Sequence, residues 1–441
     1  MVKCDGILHD CRFCETCRPE AVNDGGEVMK PVFVFPDGMC LSGVMTWSMD
    51  ICRRLNESGE NVAVIKHPDY GVQMSTRLPS DMQVVRCQHS TLPNGPNLDL
   101  RDIRQFTKDY RRALPGTVIP NWSRGAYATC SLISQEDPES LRVIGYAHSD
   151  ENYYYELLYY YEPLIHRFVA VSDEIAAKLA NRMPHREKDI LIRPYAVNVD
   201  RGLQRSYSRQ DVPLQLIYAG RIIELQKRVT DLVRLAEALT KEGVQFCLRI
   251  VGDGPDKESL VNRVGALEER VRRQIKLVGA VGIDEMPKLW LSSDILILVS
   301  DYEGTSISML EAMANGCVPV VTNVSGMARL IQPGLNGFLA EVGNTAEMVR
   351  ILKMLDRDRP KLESAGAGAF DAIVERFSTE DYLQWLQSML EHVWQEAPRS
   401  WPSERPILPE LAEPVHIEEK RSRRWVKWLR TQFLRSRNSS F

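Results

Sequence analysis

Short runs of β-branched and aromatic residues recur along the chain, with helix-like stretches between them. One series begins at PVFVFP (31–36) and ends at HRFVAVS (166–172); a second begins at QLIYAG (215–220) and ends at VPVVTN (318–323). Continuous apolar runs separated by helices indicate buried parallel strands. The intermediate predicted strands are NVAVI (61–65), MQVVRC (82–87), TVIPNW (117–122), LRVIGYAH (141–148), QFCLRIVG (245–252), IKLVG (275–279) and DILILVS (294–300).

The two series predict an α/β protein with two consecutive doubly wound sheets and a cleft between them. In such sheets, ligands bind beyond the carboxyl ends of the strands. The predicted parts are a Cys-rich leader (1–28), an N-terminal domain (29–195), a second domain (196–375), a helix that returns to the first domain (376–400), and a Pro-containing linker with a basic tail (401–441).

Composition narrows the class of protein without identifying it. The 441 residues are 44% hydrophobic and 26% charged, which excludes a wholly disordered, collagen-like or coiled-coil chain. The net charge is −4, so the chain as a whole is not a polyanion binder and we expect no nucleic acid partner. No apolar run approaches the roughly 18 residues of a spanning helix, and the first residues do not resemble a signal peptide. We therefore expect a cytoplasmic location.

Two cations follow the first strand of the second domain. Arg221 comes directly after Gly220 at the strand end, and Lys227 lies six residues further on, at a predicted helix start. Facing the crevice, they would clamp a diphosphate, Arg through its planar fork and Lys as a point charge. Solvated surface charges are the alternative.

The segment after DILILVS carries two carboxylates separated by seven residues. Glu303 lies in the strand-to-helix turn, and Glu311 lies just over one turn into the helix, among apolar neighbours. A carboxylate there is costly unless it is hydrogen-bonded, and vicinal hydroxyls of a ribose or hexose would be natural partners. The helix N-terminus would bind phosphate. The segment predicts a sugar-nucleotide site; a capped helix with a snorkelling acid is the alternative. By contrast, VGDGP (251–255) is interpreted as a turn with Pro255 at the first helical position.

The second half of the chain resembles the donor-binding half of retaining GT-B glycosyltransferases of the glycosyltransferase 4 family. The matching segments are YAGRIIELQKR, RIVGDGP, KLVGAVGIDEMPKLWLSSDILILVS and EGTSISMLEAMANGCVPVVTNVSG. The first half matches more loosely, through Ser42-Gly43, YAHSDEN, FVAVSDEIAAKL and IRPYAVNVD. The resemblance covers about residues 30–395 and implies a GT-B fold, in which two Rossmann-like domains face a central cleft.

The resemblance also implies roles for individual residues of this chain. The implied catalytic residues are His148 near the transferred sugar, Glu303 on its hydroxyls, and Arg221 and Lys227 on the diphosphate. The implied donor-binding residues are Gly43, Gly220, Val281 near the base, Thr305, Ser306 and Ile307 around a phosphate, and Glu311 on the ribose. The chain departs from the family pattern at Ser42, Arg228 and Ser306, where Gly is common, and at Thr305, where an aromatic residue is frequent.

These features favour a retaining hexosyltransferase of the cell-surface polysaccharide type. It would use a UDP- or GDP-hexose donor and a glycan or lipid-linked glycan acceptor. No cofactor is expected for catalysis, because two cations can stabilise the leaving diphosphate. One alternative is a non-catalytic or regulatory GT-B protein; another is a phosphorylase or a sugar-nucleotide epimerase on the same fold. The Tyr-rich segment 153–161 would either line the acceptor site or pack into the protein.

The leader carries four cysteines, Cys4, Cys11, Cys14 and Cys17, within 14 residues. Four thiolates suit tetrahedral zinc, and overlapping C-x2-C pairs also suit an iron–sulfur cluster. A redox-active or disordered leader is the alternative. The family pattern does not include this segment.

The C-terminal tail is basic and amphipathic. Residues 420–437 carry eight Lys and Arg and no acid, so subtracting +8 from −4 leaves −12 for residues 1–419. Trp425, Trp428, Leu429 and Phe433 recur at helical spacing. Such a helix lies well on an anionic membrane surface, so we expect peripheral association with the inner face of the membrane. A helix packed on the body or on a partner, and a nucleic acid tail, are the alternatives.

Overall fold

The structure is a computed structural model that describes residues 30–409, except 41, 72, 74–76, 90, 96, 325 and 327. It confirms the predicted fold class. A seven-stranded sheet of order β3-β2-β1-β4-β5-β6-β7 and a six-stranded sheet of order β10-β9-β8-β11-β12-β13 each form the centre of one domain. The paired strands in both sheets run parallel.

The N-terminal domain contains the first sheet and the helices that cover it. Its strands are β1 Pro31–Phe35, β2 Ala63–Lys66, β3 Gln83–Arg86, β4 Gly116–Ile119, β5 Leu141–Ala147, β6 Arg167–Ala170 and β7 Ile190–Ile192. Its α-helices are α1 Gly43–Glu57, α2 Leu100–Tyr110, α3 Arg124–Glu136, α4 Asn152–Tyr160 and α5 Asp173–Arg182.

The second domain repeats the plan. Its strands are β8 Leu214–Ala219, β9 Phe246–Val251, β10 Ile275–Gly279, β11 Ile295–Leu298, β12 Val318–Thr322 and β13 Phe338–Ala340. Its α-helices are α6 Glu224–Lys227, α7 Val229–Lys241, α8 Lys257–Gly265, α9 Glu269–Arg272, α10 Met286–Leu291, α11 Ile307–Ala314, α12 Thr345–Arg357 and α13 Arg359–Val374.

Burial explains why the apolar runs marked the strands so clearly. Every residue of the central strands β1, β5, β11 and β12 is buried, because helices cover both faces of each sheet. The sequence analysis missed β7 and β13, which have only three residues each. A run that short carries too little periodicity to distinguish a strand from a loop.

The chain crosses between the domains twice, and the crossings lie side by side at a bridge between Val197 and Ser378. After the second crossing, α14 (Thr379–Gln395) packs on the N-terminal domain, where the hydroxyls of Tyr382 and Tyr146 lie 3.1 Å apart. Trp401 then packs against Tyr160. Residues 401–409, predicted as part of a linker, are therefore docked on the N-terminal domain.

Pro255 was predicted at the first position of a helix, and this is wrong: α8 begins at Lys257, and Pro255 lies in the preceding turn. Asp256 takes the N-cap position of that helix instead.

Across the described ranges, none of the helices combines the length and the apolar character needed to cross a membrane.

Candidate active site

A cavity of about 300 Å³ lies between the carboxyl ends of the two sheets. The structure brings to it every residue that the sequence analysis assigned to catalysis or donor binding. These are Gly43, His148, Gly220, Arg221, Lys227, Val281, Glu303, Thr305, Ser306, Ile307 and Glu311. Their convergence follows from the fold, since each lies beyond the end of a parallel strand, in the loop or in the first two turns of the next helix.

The second domain contributes most of the charged groups. Nζ of Lys227 lies 2.5 Å from Oε1 of Glu303, and Oγ of Ser300 donates to the same oxygen at 2.6 Å. Glu303 is buried, and Lys227 is largely so. A buried ion pair is held at the cost of desolvation. This pair therefore keeps a cation and an anion fixed beside the cavity, with Arg221 on the same wall.

The structure explains why Arg228 can stand where Gly is common in the family pattern. Its backbone is left-handed, with φ 47° and ψ 42°, at the junction of α6 and α7. Glycine adopts this conformation without steric cost, whereas for other residues it costs about 1–2 kcal/mol. The Arg228 guanidinium binds Asp231 at 2.7 Å and Asp301 at 3.1 Å. These ion pairs offset the strain and fix the turn that carries Lys227.

The N-terminus of α11 reaches the other domain. Ser306 caps the helix, and its hydroxyl accepts from the N–H of Met309. Oγ1 of Thr305 donates to the carbonyl of Val171, across the cleft, at 2.6 Å. A Cβ on Gly304 would lie 2.6 Å from the carbonyl oxygen of His148. Only a residue without a side chain allows this approach, so Gly304 and Thr305 join the two walls.

Glu311 projects from the second turn of α11 towards the cavity. It is half-buried by surface area, and it lines the cavity beside Met286 and Trp290. Burial raises the pKa of Glu311 to about 7, and the negative charge of Asp50 in α1 adds to this effect. A side-chain hydrogen bond with Trp290 counteracts the rise only in part, so hydroxyls of a ligand would stabilise the carboxylate further.

The N-terminal domain contributes an uncharged, aromatic wall around His148. The ring is buried; Nδ1 lies 2.7 Å from the hydroxyl of Tyr195, and Nε2 lies 3.1 Å from Oδ1 of Asn121. Burial lowers the pKa of His148 to about 3. Gly43 begins α1 opposite Ile307, and a Cβ added to Gly43 would lie 3.4 Å from the Ile307 side chain.

Sequence reasoning did not assign Glu151, which also lines the cavity. It occupies the N-cap position of α4, yet its side chain makes no capping hydrogen bond. Burial raises the pKa of Glu151, while Ser149 and Arg221 counteract the rise. Its position in the sequence could have indicated a site residue, because Glu151 follows His148 by three residues in the loop after β5.

The Tyr-rich helix mostly packs into the protein. Tyr153, Tyr154, Tyr155 and Tyr161 are buried. The Tyr153 hydroxyl donates to the carbonyl of Trp122 at 2.9 Å, and the Tyr161 hydroxyl to that of Ile407 at 2.7 Å. Of this segment, Tyr154 lines the cavity. Packing is therefore the main role of these rings.

The two predicted terminal sites lie outside the described residues. Cys4, Cys11, Cys14 and Cys17 belong to residues 1–29, and the basic segment 420–437 belongs to residues 410–441. Both sites therefore stay predictions from the sequence.

Two facing parallel α/β domains with a ligand cleft between them define the GT-B class. The same fold occurs in a mutant of S. aureus TarM, solved in complex with fondaparinux, alpha-GlcNAc-glycerol and UDP. The TM-score is 0.67 at 12% sequence identity, covering 84% of this chain and 100% of that one. Residues 203–370 match the model of the family described as glycosyl transferases group 1.

Curated relatives match over part of their length. N-acetyl-alpha-D-glucosaminyl L-malate synthase of Bacillus anthracis is 28% identical over 187 residues, which are 42% of this chain and 48% of the relative. The putative colanic acid biosynthesis glycosyltransferase WcaL of Salmonella typhimurium is 27% identical over 244 residues, 53% of this chain and 59% of the relative. The chain thus spans about half the length of these relatives.

Proposed function

We propose that this chain is a retaining hexosyltransferase. It moves a hexose from a UDP- or GDP-hexose to a glycan or lipid-linked glycan acceptor in cell-surface polysaccharide synthesis. The charged wall of the second domain carries the proposal. Arg221 and Lys227 suit a diphosphate, and Glu303 and Glu311 suit the hydroxyls on either side of it.

The names of similar proteins support the substrate classes. The TarM structure contains UDP and a glycosyl glycerol, and WcaL is named for colanic acid biosynthesis. A nucleoside diphosphate donor and a cell-surface glycan acceptor agree with both.

In the proposed reaction, the bond between the anomeric carbon and the diphosphate oxygen breaks. Arg221 and Lys227 stabilise the negative charge that develops on the leaving group. The acceptor oxygen bonds to the same face of the anomeric carbon, and its proton passes to the departing phosphate oxygen. Glu303 orients the sugar hydroxyls, while Ser306 and Ile307 offer backbone N–H groups to a phosphate.

A thermal-shift screen of UDP, GDP, ADP and their common sugars tests the proposal. A ligand at 100 times its Kd adds roughly 2.7 kcal/mol to stability, which gives a visible rise in Tm. We expect one nucleotide series to stabilise the wild type and to lose its effect in Lys227→Ala. No shift with any nucleotide would instead favour a non-catalytic GT-B protein.

We also propose that segment 420–437 binds the inner face of the membrane. Its eight positive charges and its apolar positions are the properties of an interfacial helix. Co-sedimentation with vesicles containing phosphatidylserine should be lost when residues 420–441 are deleted. Unchanged co-sedimentation of the deletion variant would refute this role.

For the leader, we propose a zinc site formed by Cys4, Cys11, Cys14 and Cys17, with an iron–sulfur cluster as the alternative. Elemental analysis of the purified full chain should give one zinc per chain. The metal should be lost when Cys14 and Cys17 are replaced by Ser. Visible absorbance accompanied by iron would identify the cluster, and metal-free protein would exclude both.

A further inference from the structure

The ring of His148 has two protein partners, one for each nitrogen. A neutral imidazole donates from one nitrogen and accepts at the other. The contacts with Tyr195 and Asn121 do not by themselves show which nitrogen carries the proton, since a phenol can donate or accept. The amide of Asn121 settles the direction.

Nδ2 of Asn121 donates to the main-chain carbonyl of Val34 at 2.8 Å. A carbonyl only accepts, so rotating the amide by half a turn would set two oxygens against each other. Oδ1 of Asn121 therefore faces Nε2 of His148, and it too can only accept. Consequently Nε2 carries the proton, and Nδ1 accepts from the hydroxyl of Tyr195.

The backbone indicates that Asn121 is placed specifically. It has φ 54°, in the left-handed region, and its side chain is fully buried. Asn tolerates this conformation better than most residues, but it remains strained. The conformation is maintained because both ends of the amide are bonded in the interior.

The surroundings of the ring keep it neutral. The His148 ring lies nearly parallel to the rings of Tyr146, at 5.4 Å between centroids, and Tyr195, at 6.0 Å. Trp47, Trp122 and Tyr154 contact it edge-on. The titratable groups that face it are phenols, whose own pKa values are raised by burial.

We infer that Asn121 and Tyr195 are positioning residues that hold His148 as the neutral Nε2–H tautomer and keep both ring nitrogens from the ligand. His148 then serves the site as a fixed aromatic wall and through its main-chain carbonyl, which lies against Gly304. The consequence for catalysis, that this imidazole neither gives nor takes a proton, rests on the proposed function. The tautomer itself does not.

Long-range ¹H–¹⁵N correlation spectra of protein labelled with ¹⁵N-histidine measure the tautomer directly. Comparison with His148→Gln identifies the signal. We expect the neutral Nε2–H pattern throughout about pH 5–8, where an ordinary histidine titrates, with and without saturating UDP. An Nδ1–H pattern, a titration within that range, or a change of tautomer on adding UDP would overturn the inference.

Asn121→Asp tests the first partner. A carboxylate facing Nε2–H favours the imidazolium, so the pKa of His148 should rise from about 3 into the range of about pH 5–8. The matched control is Asn336→Asp, because buried Asn336 also accepts from a backbone N–H and donates to a carbonyl, in a turn of the second domain. The control should leave the His148 signal unchanged. An unshifted signal in Asn121→Asp, at a pH where the ¹³C shift of the new carboxyl shows that it is ionised, would contradict the proposed contact.

Tyr195→Phe tests the second partner and does not depend on the stability of the Asp variant. Removing the hydroxyl should shift the Nδ1 resonance while the Nε2–H pattern persists. An unchanged Nδ1 resonance would show that Tyr195 is not its donor. Once a donor sugar turns over, Asn121→Asp should add a protonation step to the pH–rate profile that the wild type lacks. If the spectra are as expected but the protein transfers no sugar, the proposed function is refuted and the assignment of the tautomer stands.

Discussion

The two walls of the cleft present different chemical groups to a ligand. The wall from the second domain presents Arg221, Lys227, Glu303 and Glu311, with one cation and one anion paired across it. The wall from the N-terminal domain is mainly neutral and aromatic, with His148 committed to protein partners. Fixed charges suit a diphosphate that leaves with negative charge. A neutral wall can shape the cavity without attracting the diphosphate away from those charges. Glu151 is the acidic exception on the neutral wall.

The largest expected effect is on the charged wall. Glu303→Ala should lower transfer by a factor on the order of 10²–10³, because the sugar loses its carboxylate. UDP affinity should change by no more than about threefold, since Lys227 is released to the diphosphate. Initial rates and calorimetry measure the two quantities. Glu242→Ala is the control, because Glu242 is exposed, pairs with Lys353 and does not line the cavity; equal losses in both variants would contradict the assignment.

Glu151→Gln tests whether the exception on the neutral wall serves the acceptor. Loss of a charged hydrogen bond should lower kcat/KM for the acceptor by about tenfold or more, with UDP affinity unchanged. Rates at varied acceptor concentration, with calorimetry of UDP, would show this split. Glu156→Gln on the same helix removes an acid that pairs with Arg182 instead. A loss of UDP affinity in Glu151→Gln would move this residue to the donor side.

The pH dependence of UDP binding should report Glu311. Its pKa is about 7, above the ordinary 4.5, because burial disfavours the carboxylate. In the proposed complex, ribose hydroxyls would donate to the charged form of Glu311, so UDP affinity should fall as the pH drops below 7, by at most about tenfold per unit. The ratio to Glu311→Gln at each pH cancels the titration of UDP itself, and a constant ratio would exclude this role.

The raised pKa of Glu311 also makes the free energy of unfolding depend on pH, in a direction set by proton linkage. The folded state holds the Glu311 proton more tightly than the unfolded chain does. The contribution of Glu311 is therefore most favourable below pH 4.5 and is lost as the pH rises to about 7. The unfolding free energy of Glu311→Gln should accordingly gain on the wild type over this interval, which denaturant titrations at several pH values would measure.

The smallest expected effect concerns the contact between the walls. Thr305→Val removes the hydrogen bond to Val171, worth about 1 kcal/mol, and should weaken UDP binding by about fivefold if the ligand binds the closed cleft. Thr322→Val is matched, because Thr322 donates to the carbonyl of Ser300 within one domain. The control should lose stability but keep its UDP affinity. Equal UDP affinities in the two variants would show that UDP binding does not depend on the contact between the two domains.

The sequence predicted the charged wall well because its parts lie close together along the chain. Arg221 and Lys227 follow one strand, and Glu303 and Glu311 flank one turn. Even the departure at Arg228 was visible, although only the structure shows that its backbone is left-handed. Local sequence is informative where one strand, turn and helix build the chemistry.

The neutral wall could not be predicted in the same way. Asn121, His148 and Tyr195 come from three separate segments that meet only in the folded domain. Nothing local to Asn121 indicates its left-handed backbone or its bond to Val34. Likewise, the packing of the Tyr-rich helix depends on residues as distant as Ile407. Such contacts are set by topology rather than by periodicity.

The close approach at Gly304 has a consequence for building chimeric enzymes. A Cβ at this position would lie 2.6 Å from the His148 carbonyl, and one at Gly326 would lie 1.6 Å from the carbonyl of Gly304. Three backbone segments are thus stacked without intervening side chains, and their thickness sets the minimum width of the cleft. Grafting this N-terminal domain onto another donor domain would require glycine at both positions. A side chain at position 304 would hold the recombined halves apart, and one at position 326 would displace the Gly304 segment within the donor domain.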